Sequence, residues 1–261
     1  MTAAQSYFGG TEGGASAPAL VLVAHGTRST RGVEMIAALA EAVTRELRNG
    51  VSPDAGPTAV PVVRTAFVDV LGPSPSEVLR DLGSSDAAVV VPAFLASGYH
   101  VYQDVPREVA DSGHPAVTVT PAMGPDPALA RIMGVRLRAA GWTPGDAVVF
   151  AAAGSSDARA RKDVRRAAAL LAERLGGPVR IGYVATGAPK VAEVVADLRA
   201  SGARRVFIAS YLLAHGLFQQ RLHEAGADGV ADPIGVHPAV VRLIADRYRT
   251  AATRTLTPRA I

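Results

Sequence analysis

Two hydrophobic periodicities alternate along this chain. Ala19–His25 (ALVLVAH) is an unbroken apolar run ending in a histidine, the pattern of a strand buried on both faces. A glycine turn follows, and from about Gly32 to Arg48 apolar residues recur at helical spacing. Beyond the Pro- and Gly-rich stretch Val51–Pro61, the same alternation predicts a strand at Val62–Val68, a helix near Ser76–Leu82 and a strand at Ala87–Ala93. A helix near Asp104–Asp111, a short strand at Ala116–Thr120 and a helix at Pro127–Ala140 complete the unit. Val- and Ala-rich strands alternating with helices predict a parallel sheet covered on both faces, an α/β fold.

The rest of the chain repeats this pattern. ALVLVAHG lies over AVVFAAAG with Gly26 on Gly154, and AVVVPAFLASGYH lies over VFIASYLLAHGLF with Gly98 on Gly216. MGPDPALARIM then lies over IGVHPAVVRLI with Gly124 on Gly235. Three matches in one order predict two homologous flavodoxin-like halves joined near Gly141–Gly145. The expected divisions are a disordered tail over 1–18, a first half over 19–143, a second over 144–250 and a short tail over 251–261.

Composition narrows the chemistry. The 261 residues include no cysteine, which excludes disulfides, thiolate metal sites and cysteine nucleophiles. The net charge of +4 comes from scattered arginines, with Lys162 and Lys190 the only lysines. The one basic cluster, Arg159, Arg161, Lys162, Arg165 and Arg166, has the spacing of a solvated helix face rather than a nucleic-acid surface. No nucleic-acid partner is expected. The first residues lack the basic and apolar regions of a secretory signal, and no uncharged stretch is long and unbroken enough to span a bilayer, so a cytoplasmic chain without a membrane partner is expected.

His25 ends the first strand and His100 follows the third. In a flavodoxin-like strand order these ends flank the switch point where ligands bind, so both imidazoles are expected in one crevice. The repeat provides an internal control: Ala153 replaces His25 and Phe218 replaces His100, while the glycines persist. The pair therefore behaves as a functional unit rather than a requirement of the fold. Asp69, at the end of the second strand, faces Ala185 in the repeat and is a candidate proton acceptor beside the histidines. His215 occupies the Ser97 position and is expected to face the crevice from the second half. His114, His223 and His237 are expected at the surface or at helix starts, with His237, opposite Asp126, in a cap position. HGTRS resembles the R-H-G-x-[ST] motif of histidine phosphatases, but Ala24 stands where the phosphate-holding arginine would be. No G-x-x-x-x-G-K-[ST] loop is present.

VAHGTRS after the first strand, VVVPAFLASGYHVYQDVP after the third and the echo SYLLAHGLF together resemble the sirohydrochlorin chelatases, class II ATP-independent tetrapyrrole chelatases, from about Ala19 to Tyr248. The resemblance implies two halves facing a central cleft, with His25 and His100 as metal ligands and catalytic groups. It also implies insertion of Fe2+ or Co2+ into sirohydrochlorin for sirohaem or cobalamin synthesis, with no cofactor beyond the metal and no ATP. Family members often carry Glu where this chain has Asp69. Gly26, Thr27, Arg28, Ser97, Gly98 and Tyr99 are the expected substrate contacts, with Arg28 a carboxylate clamp. Phe94, Tyr99, Tyr102, Tyr211, Leu213, Leu217 and Phe218 are expected to line the cleft. A monomer with both halves fused can close such a cleft. Two other readings stay open, a non-catalytic tetrapyrrole or metal carrier and a histidine-dependent phosphoryl-transfer enzyme.

Overall fold

The computed structural model describes residues 16–51, 59–83 and 86–256. Two four-stranded parallel sheets carry the fold. The first half runs β1 (Ala19–Ala24), α1 (Thr30–Asn49), β2 (Val63–Phe67), α2 (Pro75–Asp81), β3 (Ala88–Pro92), α3 (Val105–Ser112), β4 (Val117–Val119) and α4 (Pro127–Ala139). The second runs β5 (Ala147–Gly154), α5 (Ala158–Leu175), β6 (Val179–Thr186), α6 (Val191–Ala200), β7 (Val206–Tyr211), α7 (Leu217–His223), β8 (Gly229–Val230) and α8 (Pro238–Leu256). The strand orders are β2-β1-β3-β4 and β6-β5-β7-β8, the same flavodoxin-like order twice.

Alternation along the strands explains the layers. Leu20 and Leu22 of β1 share one core cluster with Val148, Phe150 and Ala152 of β5. Val21 and Val23 turn to the opposite face, against Val78 and Leu79 of α2 and Val105 of α3. Val149 and Ala151 do likewise in the second sheet, against Val191, Val194 and Val195 of α6. The shared cluster is completed by α1, α4, α5 and α8, a central helical layer between the sheets. On α1 the buried Ile36, Leu39, Val43 and Leu47 recur at helical spacing, each side chain contributing roughly 1.5–3 kcal/mol on burial.

Strands β1–β4 form one sheet and β5–β8 the other, but the last helix of each half crosses over. α4 packs on α5 and β7, whereas α8 packs on α1, β3 and β4. Tyr248 of α8 donates its hydroxyl to the Pro18 carbonyl at 2.6 Å, and Arg249 donates to the Glu46 carbonyl at 3.2 Å. The tail expected over 251–261 needs correction: α8 continues to Leu256, with Ala251 and Ala252 buried in the shared core. Of the tail expected over 1–18, residues 1–15 lie outside the described residues, as do 52–58 of the Pro- and Gly-rich stretch.

The repeat is visible in matched local devices. Ser74 N–H donates to Glu77 Oε2 at the start of α2, and Lys190 N–H to Glu193 Oε2 at the start of α6, both at 2.7 Å. Asp126 Oδ1 accepts from Ala128 N–H at 2.8 Å, and His237 Nδ1 from Ala239 N–H at 3.1 Å, so His237 does cap its helix. Gly26 and Gly154 both hold positive φ, +91° and +99°, and a Cβ on either would overlap a backbone carbonyl of the neighbouring strand end, Asp69 or Thr186. Gly154→Ala is therefore expected to cost at least about 1–3 kcal/mol. Urea unfolding measures it, and a loss below about 0.5 kcal/mol would show that the turn does not need glycine.

Candidate metal-handling cleft

Adjacent parallel strands deliver two imidazoles to one edge. β1 and β3 pair in register, Val23 beside Pro92, so the residues leaving their carboxyl ends emerge on the same side. His25 is the first residue beyond β1, and His100 opens the turn that leads from the β3 loop into α3. Their ring centroids stand 4.4 Å apart with planes inclined at 69°. They meet in a cleft of about 580 Å³ lined from both halves. Its walls are mostly apolar, with Met35, Ile36 and Phe94 from the first half facing Tyr211, Leu213 and Phe218 from the second. That volume falls in the usual range for a small-molecule site.

The turn at His100–Asp104 is wound wider than an α-helix, with Val105 N–H donating to the His100 carbonyl. Pro106 gives a physical reason: it has no N–H to donate and its ring crowds the carbonyl four residues back, which the wider turn relieves. The helix expected from Asp104 therefore gains this preceding turn, placing Asp104 directly under His100. Asp104 Oδ2 lies 2.6 Å from His100 Nδ1, and its other oxygen accepts from Arg107 at 3.0 Å. Asp104 is 6% exposed. A carboxylate only accepts, so Nδ1 carries the proton and the Nε2 lone pair is left for an ion.

His25 opens into the cleft, yet protein walls replace part of its water. This desolvation holds its pKa below the ordinary 6.5, the neighbouring His100 lowers it further, and Asp69 opposes the shift. His25 is thus neutral, with a lone pair available, to lower pH than a free imidazole. A proton NMR titration of the metal-free protein should place its midpoint below 6.5, moving upward in His100→Ala. A midpoint at or above 6.5 in the wild type would contradict this electrostatic picture.

The other expected residues divide. Gly26, Thr27, Gly98 and Tyr99 line the cleft. Arg28 is exposed and outside its lining; Ser97 is half-buried and also outside it, its N–H donating instead to Asp163 Oδ2 at 2.8 Å. Asp69 reaches His25 electrostatically, but it is exposed, its Oδ1 accepts from Val70 N–H at 2.7 Å, and it lies outside the cleft lining. Among the described residues no group of three or more His, Asp or Glu stands close enough to hold a metal. Tyr102 and Leu217, expected in the cleft, lie outside its lining. His215 does not face the crevice: it lines a separate recess of about 300 Å³ with Ser29, Arg31 and His223. His114, expected at the surface or a helix start, is half-buried ahead of β4, with Nδ1 accepting from Ala116 N–H at 3.3 Å. Sequence reasoning missed Asp104; its signal was the H-x-x-x-D spacing in HVYQD.

Fold and cleft together define a duplicated flavodoxin-like protein of the two-half chelatase type. The family model CbiX matches residues 19–140 and 147–251, and the chain belongs to that family. Sirohydrochlorin ferrochelatase of Priestia megaterium is 22% identical over 250 residues, covering 89% of this chain and 90% of that protein. The structure of SirB from Bacillus subtilis with Fe3+ is similar with a TM-score of 0.74 and 23% identity, covering 92% of this chain and 97% of that one. The structure of CbiX, described as the terminal enzyme for biosynthesis of siroheme in denitrifying bacteria, gives a TM-score of 0.65 and 26% identity, covering 89% and 99%.

Proposed function

We propose that this protein inserts a divalent metal, Fe2+ or Co2+, into sirohydrochlorin, with His25 and His100 receiving the ion and accepting pyrrole protons. The observation that carries this reading is the imidazole pair, 4.4 Å between centroids, at the apolar cleft between the halves. Membership of the CbiX family and likeness to a sirohydrochlorin ferrochelatase supply the substrate class.

Metal–imidazole bonds are about 2.0–2.1 Å long, so one ion can lie within reach of both rings. Imidazole is a suitable ligand for first-row divalent ions, and two such ligands leave most of the coordination sphere to water. An ion held this loosely can be handed on, whereas a closed four-ligand site would retain it. Phe94, Leu213 and Phe218 offer apolar surface to the faces of a macrocycle. The backbone N–H groups at Gly26 and Thr27, ahead of α1, suit acidic side arms.

As pyrrole nitrogens replace water on the metal, two N–H protons must leave. His25, neutral to below pH 6.5, is placed to take one as the metal departs from it. His100 takes the other on Nε2, and the resulting imidazolium is stabilised by Asp104 on Nδ1. Asp69 acts on His25 through its charge. No step consumes a nucleotide, and cofactors beyond the metal substrate are not required. A soluble cytoplasmic monomer is the form in which we place this activity; among the described residues no helix is long and apolar enough to cross a membrane.

An anaerobic assay with sirohydrochlorin and Fe2+, without nucleotide, followed by the absorption of the metallated ring, tests the reading. Many equivalents of product per protein are expected. Product limited to one equivalent would replace catalysis by a carrier role.

A further inference from the structure

We propose that the second half serves as a one-sided brace for the loop that carries His100, with Asp163 and Tyr211 as positioning residues of the metal site. This rests on the reading that His25 and His100 receive the metal.

Within its own half the loop from Ala93 to Tyr99 is tied by Ala93 N–H donating to the Val23 carbonyl at 2.7 Å, by Gly124 N–H donating to the Phe94 carbonyl at 3.1 Å and by the Gly98 carbonyl accepting from Val101 and Tyr102. Leu95 and Ser97, between these ties, find their partners across the interface. Tyr211 donates its hydroxyl to the Leu95 carbonyl at 2.7 Å. Tyr211 is 4% exposed, and burial pushes its phenol pKa up, so it remains a donor at all working pH. Ser97 N–H donates to Asp163 Oδ2 on α5 at 2.8 Å. Gly98 seats directly on the first turn of α5, where an added Cβ would lie 3.2 Å from the Ala160 Cβ. Just beyond His100, the Tyr102 ring lies under the Arg159 guanidinium at 4.1 Å, and Arg159 is itself fixed by Asp157 at 2.9 Å. Four contacts from the second half thus bracket the residue that presents the imidazole.

The internal repeat shows that this bracing is not a by-product of joining two similar halves. With Gly26 on Gly154 and α1 starting at Thr30 where α5 starts at Ala158, Met35 stands opposite Asp163. With Gly98 on Gly216, Ala93 stands opposite Tyr211. Met35 has no carboxylate to accept from a backbone N–H and Ala93 has no hydroxyl to donate, so the first half cannot return the same bonds. By the same offsets Ser29, Arg31, Gly216 and Gln220 stand opposite Asp157, Arg159, Gly98 and Tyr102. Those four line the open recess of about 300 Å³, where their counterparts make closed contacts. Among the described residues the loop with the histidine is clamped by side chains of the other half, and its counterpart with Phe218 in that position is not. A half that has lost both histidines thus keeps a task, holding the other half's imidazole at the distance the ion needs.

The test titrates Co2+ alone into the full-length protein, following visible absorption and heat, alongside melting temperature. Asp163→Ala and Tyr211→Phe are each expected to weaken Co2+ binding about 10-fold with little change in melting temperature. Asp163→Asn keeps an acceptor for the Ser97 N–H and should bind within about 3-fold of wild type. If Asp163→Ala fails to fold, Tyr211→Phe, which removes one oxygen, decides. Unchanged Co2+ affinity in folded Tyr211→Phe, or equal losses in Asp163→Asn and Asp163→Ala that track melting temperature, would overturn the brace. His100→Ala separates the two claims. If it binds Co2+ like wild type, the metal-site reading fails; if it weakens binding and the brace variants do not, the brace alone fails.

Discussion

His100→Ala is expected to slow metal insertion by about 10²–10⁴-fold, and His25→Ala by a similar factor, without unfolding the protein. On the proposed mechanism each substitution removes both a ligand for the incoming ion and an acceptor for a pyrrole proton. Neither ring belongs to the hydrophobic clusters that hold the two sheets together. Both sit beyond the strands, so their loss leaves no cavity in the packed layers and should cost little stability. The repeat makes the same point, since the second half folds with Ala153 and Phe218 in these places. Initial rates from the absorption of metallated sirohydrochlorin, together with melting curves, measure both effects. His223→Ala, at the exposed end of α7, is the matched control and should retain wild-type rates.

Asp104→Ala should be the next most damaging change, lowering metal affinity and insertion rate by about 10–100-fold. Asp104 accepts from His100 Nδ1 at 2.6 Å and fixes which ring nitrogen carries the lone pair. Without it the ring can turn and either nitrogen can hold the proton, so the population presenting Nε2 to the cleft falls. Arg107 would lose its 3.0 Å partner but is largely exposed, so water can replace that bond. Asp104→Asn offers the ring a neutral acceptor and should fall between alanine and wild type. Co2+ titrations of the three proteins order them, and a loss below about 3-fold in Asp104→Ala would remove the carboxylate from the mechanism.

The strands, their parallel pairing and the duplication were legible because buried Val and Ala runs have a period distinct from that of the helices between them. The meeting of His25 and His100 was legible for a related reason: strand ends that flank the switch point of a parallel sheet must lie together. The support around them was less so. Starting the helix at Asp104 put His100 and Asp104 on different elements, and the wider turn before Pro106 joins them on one. Arg28 and Ser97 lie within the right loops, but sequence position does not fix side-chain direction, and the Ser97 amide is taken by a helix 66 positions away. The exchange of α4 and α8 between sheets has no local signal. The length of α8 did have one, since Val240, Val241, Ile244, Ala245, Tyr248, Ala251 and Ala252 continue a helical stripe past the expected end.

The arginine excess also finds a structural use different from the one its composition suggested. Arg28 stays at the exposed rim, while Arg159, from the cluster expected to be a solvated helix face, lies over Tyr102 beside the His100 turn. Absence of cysteine leaves nitrogen and oxygen donors for the proposed passage of the ion.

X-ray absorption of Co2+ bound to the protein before sirohydrochlorin is added tests the passage of metal through the histidine pair most directly. Two imidazole nitrogens at about 2.0–2.1 Å, marked by scattering from their outer ring carbons, with oxygen ligands completing the sphere, are the predicted coordination. One imidazole should remain in His25→Ala. A first shell without imidazole, or one unchanged when both His25 and His100 are replaced by alanine, would contradict it.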